Sequence, residues 1–282
     1  MIEYIIIAIV QGLFEWLPIS SSGQVLIISI NFLGITPSEA YSLAIWLHLG
    51  TSLAVLLKFR RDYVSIVKSL FPKKYDDIED SYTVKRNWLI IGTLGTAISG
   101  IPLYLIFKVI LKNYYSAAQG DIITLIICGL LIITGIILLL KKNKFGIKNV
   151  KEMPPTLFEK DSFLAGLAQG FSVLPGISRS GITLSTILFE NYNQEDALKL
   201  SFLISVPAVF GSIGVDIIFG QGSIFGSLNI LIILIITLIS FGVGYLSMEF
   251  LIKIASKVNF GYFCIIYGII SYIIIIPFLL IG

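Results

Sequence analysis

Pro175-Gly-Ile-Ser-Arg-Ser-Gly-Ile-Thr183 sets one guanidinium, that of Arg179, between Ser178 and Ser180 at the end of a long apolar approach. An arginine held in hydrocarbon costs several kcal/mol unless a partner or water reaches it. The neighbouring Pro175 and Gly176 therefore point to a broken helix that lines a polar cavity. A planar fork of donors, serine hydroxyls and backbone N–H groups at the start of a half-helix are the groups that hold phosphate oxygens. The stretch predicts an anion site inside a membrane protein.

The whole chain agrees with that setting. Of 282 residues, 56% are hydrophobic and 13% charged, and the mean hydropathy of +0.93 is too high for a soluble chain of this length. Apolar runs long enough to cross roughly 30 Å of hydrocarbon as helices predict full spans near 40–58, 87–111, 120–140, 195–219, 228–251 and 258–281. The N-terminus has no basic leader region or small-residue cleavage site, so it reads as part of the mature fold. Cys128 and Cys264 lie in apolar spans without a Cys or His partner nearby, which makes them packing residues. The net charge of +3 resides in loops and reports orientation. No nucleic-acid partner is expected, and no zinc signature, Walker motif or dinucleotide fingerprint is present.

A second unusual stretch lies near the N-terminus. Residues 2–33 are apolar overall, yet their centre carries Gln11, Glu15, Pro18, Ser20-Ser-Ser and Gly23-Gln24. A simple span would not hold these groups, so a re-entrant helical hairpin is predicted. Residues 163–190 resemble it: Gln11-Gly12 aligns with Gln169-Gly170, Leu17-Pro18 with Leu174-Pro175, and Ser20 to Gly23 with Ser178 to Gly181. The chain thus divides into a first repeat (1–141), a cytoplasmic connector (142–160) and a second repeat (161–282). Lysines and arginines cluster at 58–86, 141–160 and 253–257, and the positive-inside rule then works only if neither hairpin counts as a crossing. With three crossings per half, the second half must be inverted relative to the first. The expected fold is an all-α polytopic membrane protein, an inverted repeat in which each half is a re-entrant helical hairpin plus three transmembrane helices. The hairpin tips would enter from opposite faces and meet, as at transporter repeat interfaces. The connection from Arg60 to Arg86 reads as a solvated mixed-charge loop, and Glu249 with Lys253 as a helix-end ion pair.

If the tips meet, Glu15 with Ser20, Ser21 and Ser22 faces Arg179 with Ser178, Ser180 and Thr183, while Gln11 shares the helical face of Glu15. Carboxylate, hydroxyls and arginine in one pocket suit phosphoryl transfer, with a base or a metal positioning the nucleophile. A lipid-embedded location further suggests a substrate whose tail stays in the bilayer.

Both elements, Gln11-xxx-Glu15 followed by Pro18-Ile-Ser-Ser-Ser-Gly23, and Pro175 to Thr183, resemble the two signature motifs of the undecaprenyl-diphosphate phosphatase family, also called bacitracin-resistance proteins. The similarity of order and spacing runs along nearly the whole chain. It implies a multi-pass cell-membrane hydrolase that removes the terminal phosphate of a polyprenyl diphosphate and recycles the lipid carrier for cell-wall glycan assembly. It also implies a divalent cation (Mg2+ or Ca2+) and a site open to the outer face; a homodimer is left open. By position, Glu15 would bind metal or act as base, and Gln11 is the permitted variant at the first position of its element. Ser21 aligns with the nucleophile proposed in the family and Arg179 with the arginine that clamps the diphosphate. Ser178, Ser180 and Thr183 would be its hydrogen-bonding surroundings. Many members carry His where this chain has Gln24, so a histidine base there cannot operate here.

Other readings compete. Ser20-Ser-Ser-Gly on its own suits close helix packing. The lone histidine, His48, is expected as a packed core residue. The rival function is a lipid-phosphate flippase or other secondary carrier, which would release no inorganic phosphate.

Overall fold

The computed structural model describes residues 2–16, 20–70, 80–113, 155–219 and 228–254, with single positions among 129–148 and 262–273. The described residues form helices α1 (Ile2–Phe14), α2 (Ser21–Asn31), α3 (Pro37–Lys58), α4 (Arg60–Lys68), α5 (Asp80–Asn113), α6 (Pro155–Gly170), α7 (Arg179–Phe189), α8 (Gln194–Phe219) and α9 (Ile230–Ile254). Four segments, Pro37–Lys58, Thr83–Ile110, Glu195–Phe219 and Ile230–Phe250, are long and apolar enough to cross a membrane. They coincide with four of the six expected spans. The other two, 120–140 and 258–281, fall outside the described residues apart from single positions, as does the connector up to 154. The chain is an all-α, multi-pass membrane protein.

The two hairpin regions each contain two helices too short to cross. With 1.5 Å per residue, the 13 residues of α1 and the 11 of α2 fall well short of a bilayer, as do the 16 of α6 and the 11 of α7. A long helix follows in both halves, α3 after the first pair and α8 after the second. Asp62, just past the end of α3, pairs with Lys199 near the start of α8 at 3.0 Å. Ser42, near the start of α3, in turn meets Asp216 near the end of α8, so α3 and α8 run in opposite directions.

Small residues let the helices approach. On α5 and α6 a Cβ added at Gly166 would stand 2.1 Å from the Gly92 carbonyl oxygen, so only glycine permits this crossing. The close approach then lets Thr96 donate to the Gly166 carbonyl at 3.1 Å and Ser99 to that of Leu167 at 2.8 Å. Elsewhere α9 packs on α1 and α3, with Ser247 donating to the Gly12 carbonyl at 2.6 Å and Ser240 to that of Leu47 at 2.9 Å. Between them lies an apolar core that includes Ile7, Leu26, Leu43, Leu47 and Ile236.

Pro207 inside α8 lacks the N–H that would serve the Leu203 carbonyl. Tyr63 supplies the replacement, its hydroxyl donating there at 2.8 Å. The carbonyls of Ile204 and Ser205, just ahead of the proline, also accept from Gln169 and Arg179, both at 3.4 Å.

Part of the basic connection expected as a loop is ordered. Residues 60–68 are helical because alternating basic and apolar residues make α4 amphipathic. Asp62 joins it to Lys85 of α5 at 2.9 Å, and Arg86 donates to the Ser69 carbonyl at 2.7 Å. Glu249 likewise reaches across to Lys58 of α3, an inter-helix use that the expected pairing with Lys253 did not include; the Lys253 side chain lies outside the described residues.

Beyond α7, Glu190 has both carboxylate oxygens buried without a hydrogen bond. Burial, and next the nearby Asp161, push its pKa up from 4.5 to about 8, against the opposing pull of Lys148 and Lys160. The folded state therefore holds this proton more tightly than the unfolded chain does. The associated stability is complete below the unfolded value and is lost as pH rises through about 8. Glu190→Gln is expected to melt like the parent near about pH 5 and above it near about pH 9. Thermal unfolding in detergent checks this, and an equal offset at both pH values would contradict it.

Candidate active site

Each hairpin ends in a turn built by its own sequence. In the second, Ile177 donates its backbone N–H to the Leu174 carbonyl at 3.2 Å, with Pro175 and Gly176 at the corners. Gly176 has φ 101, which only glycine adopts without strain at this corner of a type II turn. Ser178 then caps α7, accepting from the Gly181 N–H at 3.1 Å. The first hairpin repeats the device: Ser20 caps α2 by accepting from Gly23 N–H at 3.3 Å. In both, the cap hydroxyl also lies 3.2 Å from that of the serine two residues on, Ser22 or Ser180. Ser20 does this at φ 52, a conformation uncommon outside glycine. Residues 17–19, which include Pro18, lie outside the described residues.

The tips touch. Gly176 donates its N–H to Ser20 Oγ at 3.0 Å, and the starts of α2 and α7 converge there, so two positive helix ends face one space. That space is a pocket of about 730 Å³ whose wall includes Glu15, Ser20, Ser21, Ser22, Ser178 and Arg179.

Glu15 is its hub. Ser21 Oγ donates to Glu15 Oε2 at 2.7 Å, Gln11 Nε2 donates to the same oxygen at 2.6 Å, and the Arg179 guanidinium pairs with Oε1. The carboxylate side chain is only 2% exposed, so the arginine offsets a charge that water could not. Trp16, the next residue, fixes the tip by donating its indole N–H to the Gly244 carbonyl of α9 at 2.7 Å.

His48, expected in the core, stands on the pocket wall. Its Nδ1 donates to the Ala44 carbonyl, which aims Nε2 at Glu15 Oε2, 3.2 Å away. No sequence neighbour announces this, because His48 is carried in by the rotation of α3. Gln11, Ser180 and Thr183 are not on the wall: Gln11 is buried beside Glu15, Ser180 Oγ is 3.5 Å from the Glu15 carbonyl, and Thr183 is wholly buried one turn along α7. Thr183 shares a helical face with Arg179, but that face turns into the protein there.

A second polar cluster escaped sequence reading altogether. Asp216 of α8, fully buried, accepts from Ser42 at 2.6 Å, Trp46 at 3.2 Å and Tyr104 at 2.7 Å, with Lys108 at 3.4 Å. It ties α3, α5 and α8 together beside the pocket, whose wall Tyr104 also joins.

A hydroxyl hydrogen-bonded to a carboxylate that also pairs with an arginine is the arrangement of a nucleophile beside its base, here at two converging helix starts of a polytopic membrane protein. Residues 4–272 match the bacitracin resistance protein BacA family, and the chain belongs to that family. It is 38% identical over 270 residues to a protein of Methanothrix thermoacetophila named undecaprenyl-diphosphatase, covering 96% of this chain and 95% of that protein. Proteins of the same name from Methanococcoides burtonii and Methanopyrus kandleri are 37% and 36% identical, over 95% and 94% of this chain and 96% and 92% of theirs.

Proposed function

We propose that this chain is an integral membrane phosphatase that hydrolyses undecaprenyl or a related polyprenyl diphosphate to the monophosphate and inorganic phosphate. Its role is to recycle the lipid carrier for cell-wall glycan assembly, and with it to confer bacitracin resistance. The observation that carries the reading is the Ser21 to Glu15 hydrogen bond, with Arg179 on the other carboxylate oxygen. The relatives named for this activity support it.

In this reading Glu15 Oε2 takes the proton of Ser21 as Oγ attacks the terminal phosphorus. The bridging P–O bond breaks and the polyprenyl monophosphate leaves, its freed oxygen taking that proton from Glu15, which is a carboxylate again. Arg179 turns from Glu15 to the phosphoryl oxygens, where its fork and the N–H groups of the two helix starts stabilise the spreading charge. Water then attacks the phosphoserine, gives its proton to Glu15, and frees phosphate as Ser21 takes a proton back. His48, held by Ala44, forms part of the pocket wall beside that carboxylate.

Among the described residues no group of three or more metal-ligating side chains occurs. Glu15 is the one acid on the pocket wall, and its oxygens already have donors. This set fits a cation that arrives with the diphosphate, held by Glu15 and phosphate oxygens, rather than one resident in the free protein. Such a cation would neutralise phosphate charge.

The wall residues Tyr41, Tyr104 and Ser212 lie toward the ends of α3, α5 and α8 remote from Lys58, Lys85 and Lys199. With the basic side cytoplasmic, the pocket opens outward. The opposite directions of α3 and α8 support the inverted repeat.

The test is phosphate release from a long-chain polyprenyl diphosphate by purified protein in detergent, with and without a chelator. Multiple turnovers that the chelator depresses are expected. No phosphate release from folded protein would overturn the assignment, and lipid movement in vesicles without phosphate release would identify a carrier.

A further inference from the structure

The polar pocket does not end at the hairpin tips. A second cavity of about 500 Å³ lies between α5 and α8 and shares Thr96, Tyr104, Val173, Ala208 and Ser212 with the first. Away from that shared rim its lining turns apolar and small, with Ala97 and Gly100 from α5 facing Pro207 and Gly211 from α8. At its far edge Ile101 and Gly211 are exposed, and both belong to membrane-crossing segments. An exposed apolar surface on such segments suits contact with lipid. The crevice therefore runs from the wall of the Glu15 and Arg179 pocket toward the hydrocarbon without crossing a charged group on its lining.

We infer that this crevice between α5 and α8 holds the isoprene units next to the diphosphate and lets the rest of the tail pass sideways into the bilayer, with Gly211 setting its width. The inference rests on the phosphatase reading for the identity of the head group. Its physical warrant is separate. An amphipathic lipid bound by its head in the polar pocket needs an apolar path for the first carbons of its tail, because isoprene units left in a polar passage would be exposed to water. Gly211 is the position where that path can be closed without disturbing the fold, because a Cβ added there meets no atom within 4 Å. Gly214, one turn on, is equally unobstructed but does not line the crevice.

The experiment compares Gly211→Phe with Gly214→Phe and the parent, as full-length proteins in detergent. Two substrates are used, a C55 polyprenyl diphosphate and methyl diphosphate, which has no tail. Gly211→Phe is expected to raise KM for the long substrate by about tenfold or more and to leave methyl diphosphate turnover at the parental rate. Gly214→Phe is expected to match the parent on both. Equal loss on both substrates, or a parental KM for the long one, would overturn the tail assignment. If the parent releases phosphate from neither substrate, the phosphatase reading falls. Binding of a non-hydrolysable polyprenyl methylenediphosphonate then decides the crevice alone: weaker binding by Gly211→Phe supports it, and unchanged binding refutes it. Should Gly211→Phe fail to fold, Ala97→Leu on the facing helix is tested on the same two substrates with the same expected split.

Discussion

Arg179→Ala is expected to lower kcat for a polyprenyl diphosphate by roughly a thousandfold, the range found when an arginine that meets developing phosphoryl charge is lost. The same change strips the cation from a carboxylate that is 2% exposed. Breaking such a pair on one side costs on the order of 3 kcal/mol, because the remaining charge stays buried. The variant should therefore melt lower as well. A second substitution separates the two effects: Arg179→Ala combined with Glu15→Gln removes the orphaned charge, so stability should recover while turnover stays low. Arg179→Lys keeps a charge but loses the fork that serves two oxygens at once, and should keep only a small part of the rate. Steady-state phosphate release with melting curves checks all three variants. A kcat for Arg179→Ala within about tenfold of the parent would remove the arginine from the chemistry.

Ser21→Ala is expected to cost at least roughly a thousandfold in kcat, as loss of an activated nucleophile does. Binding of a non-hydrolysable analogue should change little, since Ser20, Ser22, Ser178 and the helix starts remain. In the parent, rapid quenching with substrate labelled at the terminal phosphate should trap label on Ser21. Retention of most of the rate by Ser21→Ala would instead mean that water attacks directly, with Glu15 as its base. The hydroxyl now donates to Glu15 Oε2 at 2.7 Å, so only the acceptor of the proton would be common to both routes.

The sequence made the site legible where chemistry is expensive to hide. A glutamate and an arginine in apolar chain, each beside serines and a glycine, are costly in hydrocarbon unless something pairs with them. The two meet in the structure, and Ser20 and Ser178 cap their helices by the same local rule, each accepting from the glycine N–H three residues on. What escaped reading depends on the rotation of one helix against another. His48 reaches Glu15 from α3, and Asp216 gathers Ser42, Trp46, Tyr104 and Lys108 from helices far apart in sequence. Spacing within one helix cannot reveal either. The same limit placed Thr183 beside Arg179 by sequence, whereas the helix turns it inward. Residues 60–68 belong to a connection whose mixed charge suggests a solvated loop, yet they form a helix. Asp62, which pairs with Lys85 and Lys199, holds that helix against the bundle.

The central claim is that two tips from distant parts of the chain form one catalytic unit. A double-mutant cycle on kcat/KM between Glu15→Gln and Arg179→Lys tests it most directly. One unit predicts strong non-additivity, with the double variant scarcely slower than the slower single one. Losses that simply multiply would mean that Glu15 and Arg179 act independently, and the shared site would have to be given up.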